Sequence, residues 1–172
     1  MLKGSSIYLR TLEPNDFETL LAWENNTENW RVSETRVPFS KELILQYVTS
    51  AQDIFAVKQI RLMICLLDTD EAIGSIDLFD YEPIHQRMGL GILIVKNMRG
   101  KGYGLESLSV TSEYALNCVG VRNLYCSILG DNQASRKLFE RSGFEEIGCH
   151  KDWFNDKGCW VDQYLYQKRL VK

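Results

Sequence analysis

The chain has 172 residues, of which 45% are hydrophobic and 25% are charged, and its formal net charge is −3. These values predict a single globular domain over residues 1–172, and they exclude the strongly basic surface typical of nucleic-acid binding. No apolar stretch is long enough for a transmembrane helix, so we expect a cytoplasmic protein without a membrane partner. The 5 cysteines and 2 histidines follow no metal-ligand spacing, so no metal site is predicted.

Apolar periodicity predicts the secondary-structure elements in chain order. Ile7 to Leu12 alternates like a strand, and the turn at residues 13–16 opens a helix that ends near Asn25. Ser40 is a favourable N-cap for a second helix, Lys41 to Ser50. Further strands are expected at Arg61–Leu67, Ala72–Phe79, Met88–Val95, Leu124–Leu129, Phe144–Cys149 and Trp160–Gln167, with helices at Leu105–Leu116 and Gln133–Arg141. This order predicts an α+β, three-layer fold with a central mixed, mostly antiparallel sheet of about seven strands and about four flanking helices.

A glycine-rich segment separates the strand ending at Val95 from the helix beginning at Leu105. Its sequence is Arg99-Gly100-Lys101-Gly102-Tyr103-Gly104. Glycines let the backbone turn sharply and bring N–H groups close to a ligand, and a helix N-terminus favours an anion. The simpler alternative is a turn that needs glycine for its geometry alone. The order strand, glycine turn, helix favours phosphate binding.

The spacing of this loop differs from that of the two common nucleotide-binding loops. Lys101 is followed by Gly102 and not by Ser or Thr, and the glycines alternate with other residues. The loop matches Arg/Gln-x-x-Gly-x-Gly/Ala and resembles the pyrophosphate loop of the GCN5-related N-acetyltransferase (GNAT) family. A second segment, Asn132 to Phe144, resembles the family's other cofactor element, although a helix cap and a core face would also account for it.

Within this family the chain most resembles the branch of ribosomal-protein N-terminal and spermidine/spermine (diamine) acetyltransferases. The resemblance lies in Tyr8 to Asp16, Trp23 to Asn26 and Gly74 to Asp80. It implies an enzyme that moves the acetyl group of acetyl-CoA directly to a primary amine, either a polyamine-like small molecule or a protein N-terminus. It also implies that no metal takes part and that a homodimer can form.

The resemblance assigns cofactor contacts to three groups of residues. Backbone groups of one splayed strand would bind the pantetheine arm, the glycine loop would bind the diphosphate, and the second helix would approach the arm and the thioester. The implied contacts are Ile92, Leu93, Ile94 and Val95; Arg99, Gly100, Lys101, Gly102, Tyr103 and Gly104; and Asn132, Ser135 and Phe139.

Two positions depart from the family pattern. Phe139 stands where many members carry a tyrosine that protonates the leaving thiolate, and Gly89 stands where many carry a glutamate base. A thiolate whose pKa is about 8–9 can leave with the help of water alone. The departures motivate one alternative, a CoA-binding module without turnover. A second alternative is a transferase of a longer acyl group, which would require a wider channel beyond Phe139.

The base is therefore expected among other carboxylates, with Asp80 as the catalytic candidate. By resemblance, Asp80 occupies a substrate-side position of the diamine branch, where it could bind an ammonium and relay a proton through water. Strand periodicity predicts that Asp80 and Glu82 share a face and that Asp77 points the other way. All three could instead be solvated residues at a strand exit.

Other candidates are less specific. Trp30 and Glu34 could contact the acceptor, since amine sites use aromatic faces and carboxylates, but a core or surface position is equally consistent with the sequence. His85 is predicted to be a solvent-facing loop residue, and Cys126 is predicted to be a buried thiol with no activating partner.

Overall fold

The computed structural model describes residues 2–50 and 53–171. Within these residues, eight strands form one sheet in the order β1-β2-β3-β4-β5-β6-β8-β7. Every pairing is antiparallel except that of β5 with β6, which is parallel. The strands are β1 (Leu2–Lys3), β2 (Ile7–Thr11), β3 (Ile60–Leu66), β4 (Ala72–Glu82), β5 (Arg87–Ile94), β6 (Asn123–Leu129), β7 (Glu145–Asp156) and β8 (Cys159–Arg169).

Six α-helices accompany the sheet in the described part of the chain. They are α1 (Phe17–Glu24), α2 (Thr27–Trp30), α3 (Lys41–Thr49), α4 (Ile54–Val57), α5 (Tyr103–Tyr114) and α6 (Gln133–Arg141). The predicted mixed, mostly antiparallel sheet with flanking helices is confirmed. The predicted counts were too low, because β1, α2 and α4 have two to four residues each and are too short to show a periodic pattern.

Several predicted boundaries also differ from the structure. The α5 helix ends at Tyr114 and continues as a π-helical turn, Ala115–Val119, before Gly120 takes a left-handed conformation. Strands β7 and β8 form a hairpin longer than predicted, and β4 continues past Phe79 to Glu82. The cause is pairing with neighbouring strands, which extends a segment beyond the apolar residues that mark it in the sequence.

The two faces of the sheet are covered differently. On one face, α5 and α6 pack on apolar residues from almost every strand, with Leu108 and Phe139 buried among them. On the other face, Leu20 of α1 and Ile44 of α3 cover β2 and β3. Residues of β5 and β6 that point to this second face, such as Leu93 and Tyr125, remain half-buried. The second face is therefore closed over one half of the sheet and accessible over the other.

The segment between α1 and α3 crosses to the accessible half and is held there by ion pairs. The Arg31 guanidinium bonds Asp131 at 2.6 Å and Asp156 at 2.6 Å, so it joins this segment to the end of β6 and to β7. Lys96, just after β5, bonds Glu28 at 2.9 Å. We call residues 25–37 the crossing segment.

Glu106, in the first turn of α5, joins that helix to the loop between β1 and β2. Its Oε1 accepts hydrogen bonds from the Ser6 N–H at 2.7 Å, the Ser5 hydroxyl at 3.0 Å and the Ile7 N–H at 3.4 Å. Gly4 leaves room for this approach, since a Cβ there would collide with the Glu106 carboxylate. Burial alone would raise the pKa of Glu106, but these hydrogen bonds outweigh it and hold the pKa below its usual value.

A pH-dependent contribution of Glu106 to stability follows. Because its folded pKa is depressed, the contribution is complete above the unfolded pKa of 4.5 and is lost as the pH falls through the folded value. We expect Glu106→Gln to lower the free energy of unfolding by about 1 kcal/mol at neutral pH. Urea unfolding at neutral pH and below the unfolded pKa would test this, and a wild-type advantage that persists unchanged in acid would contradict it.

Candidate active site

A cleft opens between β5 and β6 because the two strands pair over three residues only. Arg87, Met88 and Gly89 pair with Asn123, Leu124 and Tyr125, and no later residue of β5 pairs with β6. Beyond that point β5 stays paired with β4 up to Ile94, and β6 stays paired with β8 up to Leu129. The two facing edges therefore carry backbone N–H and C=O groups that an extended ligand could bind as an added strand.

The predicted arm-binding residues lie at this cleft with one difference. Ile92, Leu93 and Ile94 belong to the diverging part of β5. The Ile94 carbonyl already accepts a bond from Arg99 Nε at 2.8 Å. Val95 lies beyond the strand, where its N–H donates to the Ile73 carbonyl and its carbonyl accepts from the Met98 N–H. The expectation of a free Val95 backbone was wrong, because its N–H continues the pairing with β4 and its carbonyl is bonded within the turn Lys96–Met98 that follows.

The glycine loop forms the N-terminus of α5. Gly100 and Gly102 have φ of 77° and 91°, and a Cβ at either would meet no atom within 4 Å. Both glycines are thus required by backbone conformation, and the space around them is open to a ligand. Gly102 is the N-cap of the 12-residue helix α5, whose first N–H groups lack intrahelical partners. Arg99 and Lys101 are exposed beside it.

The third glycine of the loop has a packing role. A Cβ at Gly104 would lie 3.1 Å from Leu138 Cδ2, so this glycine permits close contact between α5 and α6. Tyr103, the other predicted contact in the loop, is partly buried against the core.

The second predicted cofactor element has a clear structural role in α6. The Asn132 side chain caps this helix by accepting a bond from the Ser135 N–H at 3.2 Å. Phe139 is 2% exposed and meets Phe144 edge-to-face with ring centroids 4.9 Å apart. The structure thus shows Phe139 as a core residue, and cofactor contacts of Asn132, Ser135 and Phe139 stay predictions.

Two aromatic rings lie across β5 on the accessible face of the sheet. A Cβ at Gly89 would collide with the Phe79 ring, which covers the position where the family pattern has a glutamate. Phe79 meets Tyr125 edge-to-face with centroids 6.3 Å apart. Gly89 is therefore a spatial requirement of this ring pair, and a side chain there would displace Phe79.

Asp80 lies at a bulge in β4. Its φ is 51°, and the β4–β5 register shifts between Phe79 and Glu82, so one extra residue lies on β4. Asp80 lies within β4 and its side chain is exposed. The prediction that Asp77 points to the opposite face was wrong, because the extra residue puts Asp77 and Glu82 on the same face of β4. Asp80 and Glu82 nevertheless line the same pocket of about 550 Å³, together with Lys58, Tyr81, Arg87 and Tyr125.

Asp77 lines a separate pocket of about 420 Å³ beneath α3. Arg61 Nε bonds one Asp77 oxygen at 2.5 Å, and the same guanidinium pairs with Glu24 of α1. Burial alone would lower the pKa of Arg61, but the charges of these two carboxylates outweigh it and raise the pKa above its usual value. This cluster carries one surplus negative charge, and nothing in the spacing of Glu24 and Arg61 along the chain indicated it.

The remaining candidates are spread over the crossing segment and the core. Trp30 is half-buried, and its Nε1–H donates to the Glu24 carbonyl at 2.7 Å. Glu34 has a φ of 56° and accepts a bond from Gln163 Nε2 at 3.4 Å. His85 is exposed, as predicted. Cys126 is 6% exposed, so the prediction of a buried core thiol is confirmed, and burial raises its pKa to about 12.

Over residues 2–50 and 53–171, no group of three or more His, Cys, Asp or Glu side chains could hold a metal ion. No helix in that same part of the chain has the length and apolar character needed to cross a membrane.

The cleft, the glycine loop and the sheet order can be compared with known proteins. Residues 6–145 match the acetyltransferase (GNAT) domain family. The chain belongs to this family. It is similar to the uncharacterized N-acetyltransferase YoaA of Bacillus subtilis, with 25% identity over 167 residues, 96% of this chain and 94% of that relative. It is also similar to a spermidine N(1)-acetyltransferase of Vibrio cholerae, with 24% identity over 58% of this chain and 59% of that relative.

Solved structures agree in fold. The spermidine N-acetyltransferase from Vibrio cholerae, solved in complex with CoA and spermine, superposes with a TM-score of 0.87 at 20% identity and 97% coverage of both chains. A GNAT-family acetyltransferase from Bacillus anthracis superposes with a TM-score of 0.82 over 99% of this chain and 98% of that chain. The chain is accordingly an acetyl-CoA-dependent N-acetyltransferase with the GNAT fold.

A paired glycine substitution tests the role of the loop. We expect Gly102→Val to weaken CoA binding at least tenfold, because a branched side chain would strain a left-handed backbone and fill the space in front of the α5 amides. Isothermal titration with CoA measures the effect.

Gly120→Val is the matched control. Gly120 also has a positive φ, of 80°, and open space around it, but it lies at the opposite end of α5. Both variants should lose similar thermal stability, and only Gly102→Val should lose CoA affinity. Equal CoA binding by the two variants would contradict the loop assignment.

Proposed function

We propose that this enzyme transfers the acetyl group of acetyl-CoA to a primary amine of a small, polyamine-like molecule. The observation that carries the proposal is the position of two carboxylates beside the cleft. Asp77 and Asp80 flank Phe79 on β4, the strand next to the splayed β5. Asp80 lines the pocket beside Tyr125, and Asp77 lines the pocket beneath α3, where it pairs with Arg61 in a cluster that keeps one surplus negative charge. Two carboxylates near a thioester suit an acceptor that carries more than one positive charge.

The donor site follows from the loop and the cleft. The diphosphate of acetyl-CoA would meet the N–H groups at the start of α5, with Arg99 and Lys101 adding positive charge. The extended arm would bond the edge of β5 at Ile92 to Ile94, as an added strand does. The splay would leave the thioester near Gly89 and Tyr125, where the strands begin to separate.

The reaction needs three contributions from the chain. A backbone N–H of β5 would stabilise the oxyanion that forms when the amine attacks the thioester carbonyl. Asp80 would receive the proton that the ammonium must lose before it can attack. The leaving thiolate would depart without a tyrosine at position 139, since its pKa is low enough for water to suffice.

Accessibility favours a small acceptor over the N-terminus of a folded protein. The crossing segment is held beside the ends of β5, β6 and β7, where Arg31 binds Asp131 and Asp156 and Glu28 binds Lys96. A slender polyamine can reach the cleft past such a segment more easily than the N-terminus of a folded protein. The spermidine N(1)-acetyltransferase of Vibrio cholerae is among the relatives described above, which supports the same acceptor class. The homodimer stays a prediction.

A thiol-release screen tests this function. Acetyl-CoA would be incubated with spermidine, spermine, diamines, amino acids, aminoglycosides and peptides with free N-termini, and the released thiol would be followed with a chromogenic disulfide. We expect the polyamines and diamines to give the highest kcat/KM. A higher kcat/KM with peptides would contradict the polyamine-like acceptor. A higher kcat/KM with a longer acyl-CoA would contradict acetyl-CoA as the donor. Thermal stabilisation by CoA with no thiol release would indicate a binding module.

Asp80→Asn tests the carboxylate within the same assay. Asparagine tolerates the left-handed backbone at this position, so the fold should persist. We expect kcat to fall about 100-fold, with CoA affinity changed less than about twofold. Asp70→Asn is the matched control, since Asp70 also has a positive φ and accepts a tyrosine hydroxyl, at the β3–β4 turn. An unchanged kcat in Asp80→Asn would remove Asp80 from the mechanism.

A further inference from the structure

Tyr125 is a polar side chain at the mouth of the cleft that the family pattern does not explain. It is the last residue of β6 to pair with β5, and its partner in that pairing is Gly89. Its hydroxyl donates to Asp80 Oδ2 at 3.4 Å, although Asp80 lies on β4, the strand on the far side of β5. The Tyr125 side chain therefore crosses β5 at the point where the strands begin to separate.

Gly89 and Phe79 make this crossing possible. A side chain at Gly89 would occupy the same face, where it would collide with Phe79. The Phe79 ring meets the Tyr125 ring at 83°, which fixes the direction of the tyrosine along the sheet. Gly89 thus lacks the carboxylate that the family pattern has at this position, and its small size lets the Tyr125 hydroxyl reach the same location.

The bulge at Asp80 completes the pair. A regular strand would alternate Asp80 to the opposite face from Phe79, toward the core beneath α5. The positive φ of Asp80 and the register shift after Phe79 instead direct its carboxylate to the face where Tyr125 lies. A left-handed non-glycine residue costs backbone energy, and such strain is commonly found at functional sites.

Charge around the pair keeps the tyrosine protonated. Burial, together with the charge and hydrogen bond of Asp80, raises the pKa of Tyr125, and Arg87 opposes this only in part. The other charged groups that line this pocket are Lys58 and Glu82, and the neighbour of Tyr125 on β8 is the uncharged Gln167. At neutral pH the hydroxyl thus donates to Asp80 and keeps its oxygen lone pairs available to a donor in the cleft.

We propose that Tyr125 is a catalytic residue of this enzyme: its hydroxyl oxygen accepts a proton from the acceptor ammonium while its own proton passes to the Asp80 carboxylate. The inference rests on the proposed function and specifies the path by which Asp80 receives that proton. Asp80 is in this scheme the positioning residue and the final proton acceptor. In this scheme no glutamate is needed at position 89, because Asp80 on β4 is the base and acts through Tyr125 on β6.

Atoms and charges balance in this scheme. The ammonium loses one proton and Asp80 gains one, which leaves a neutral amine and a protonated carboxyl group. The amine nitrogen then forms a bond to the thioester carbon, the carbon–sulfur bond breaks, and its electron pair stays on the sulfur. The surplus proton on the new amide nitrogen goes to the thiolate, which gives free CoA. Asp80 returns its proton to solvent.

Tyr125→Phe tests the proposal because it keeps the ring and removes the hydroxyl. With acetyl-CoA and spermidine as the substrates, we expect kcat to fall about 100-fold at neutral pH, with KM for acetyl-CoA changed less than about twofold. The loss of kcat should shrink to less than about tenfold near pH 10, because a larger fraction of the amine is already deprotonated there and needs no base. A purely structural defect would not vary with pH in this way.

Two further variants complete the experiment. Asp80→Asn should show the same pH-dependent deficit, and the double variant should be no slower than the slower single variant, since both residues serve one proton path. Tyr8→Phe is the matched control, because Tyr8 also donates to an aspartate, Asp70, but on β2 away from the cleft. It should stay within about twofold of wild type at every pH.

The outcomes separate the inference from the function on which it rests. No thiol release by the wild-type enzyme with any amine would overturn the proposed function and this inference together. If the wild type is active, three results would overturn the tyrosine relay alone. The first is a Tyr125→Phe variant with unchanged kcat, and the second is a kcat deficit in that variant that does not change with pH. The third is a double variant whose loss of kcat equals the product of the two single losses. If Tyr125→Phe fails to fold, a pH-independent deficit in Asp80→Asn would overturn it in the same way.

Discussion

The limited pairing of β5 with β6 is the constraint on which the rest of the site depends. Three residue pairs join the strands, after which β5 follows β4 and β6 follows β8. A continuous ladder would close the sheet and leave no edge for a ligand. The separation costs interstrand hydrogen bonds, and an extended ligand that bonds the free edges would recover part of that cost. The glycine loop stands at the far end of the same β5 strand, so the donor would be held at both ends.

The mouth of the cleft is shaped by side chains from three adjacent strands, β4, β5 and β6. A glycine at position 89 makes room for Phe79 and Tyr125, and a bulge turns Asp80 toward them. Taken singly, these are three local features: a residue without a side chain, an edge-to-face pair of rings, and a residue with a positive φ. Together they bring a carboxylate and a hydroxyl to the point where the strands separate, although the residue in the family's usual position can supply neither.

Much of the fold was predictable from the sequence, since the strands and helices of five or more residues show apolar periodicity. The elements that were missed, β1, α2 and α4, are too short for that signal. The site was predictable where its signal is local, as in the loop at Gly100 to Gly104. It was not predictable where a regular strand is interrupted. The bulge at Asp80 puts Asp77 on the same face as Glu82, against the inference from periodicity, and the Val95 backbone is already bonded to Ile73 and Met98.

The sequence by itself determined the glycine loop, the order of the elements around it and the family, because these depend on residues that are close together along the chain. Only the tertiary structure decided which side chains lie beside Gly89. Tyr125 and Asp80 are 45 positions apart, and Arg61 meets Glu24 and Asp77 from two different elements. Such contacts follow from the order and register of the strands, which cannot be inferred from the spacing of residues within one segment of the sequence.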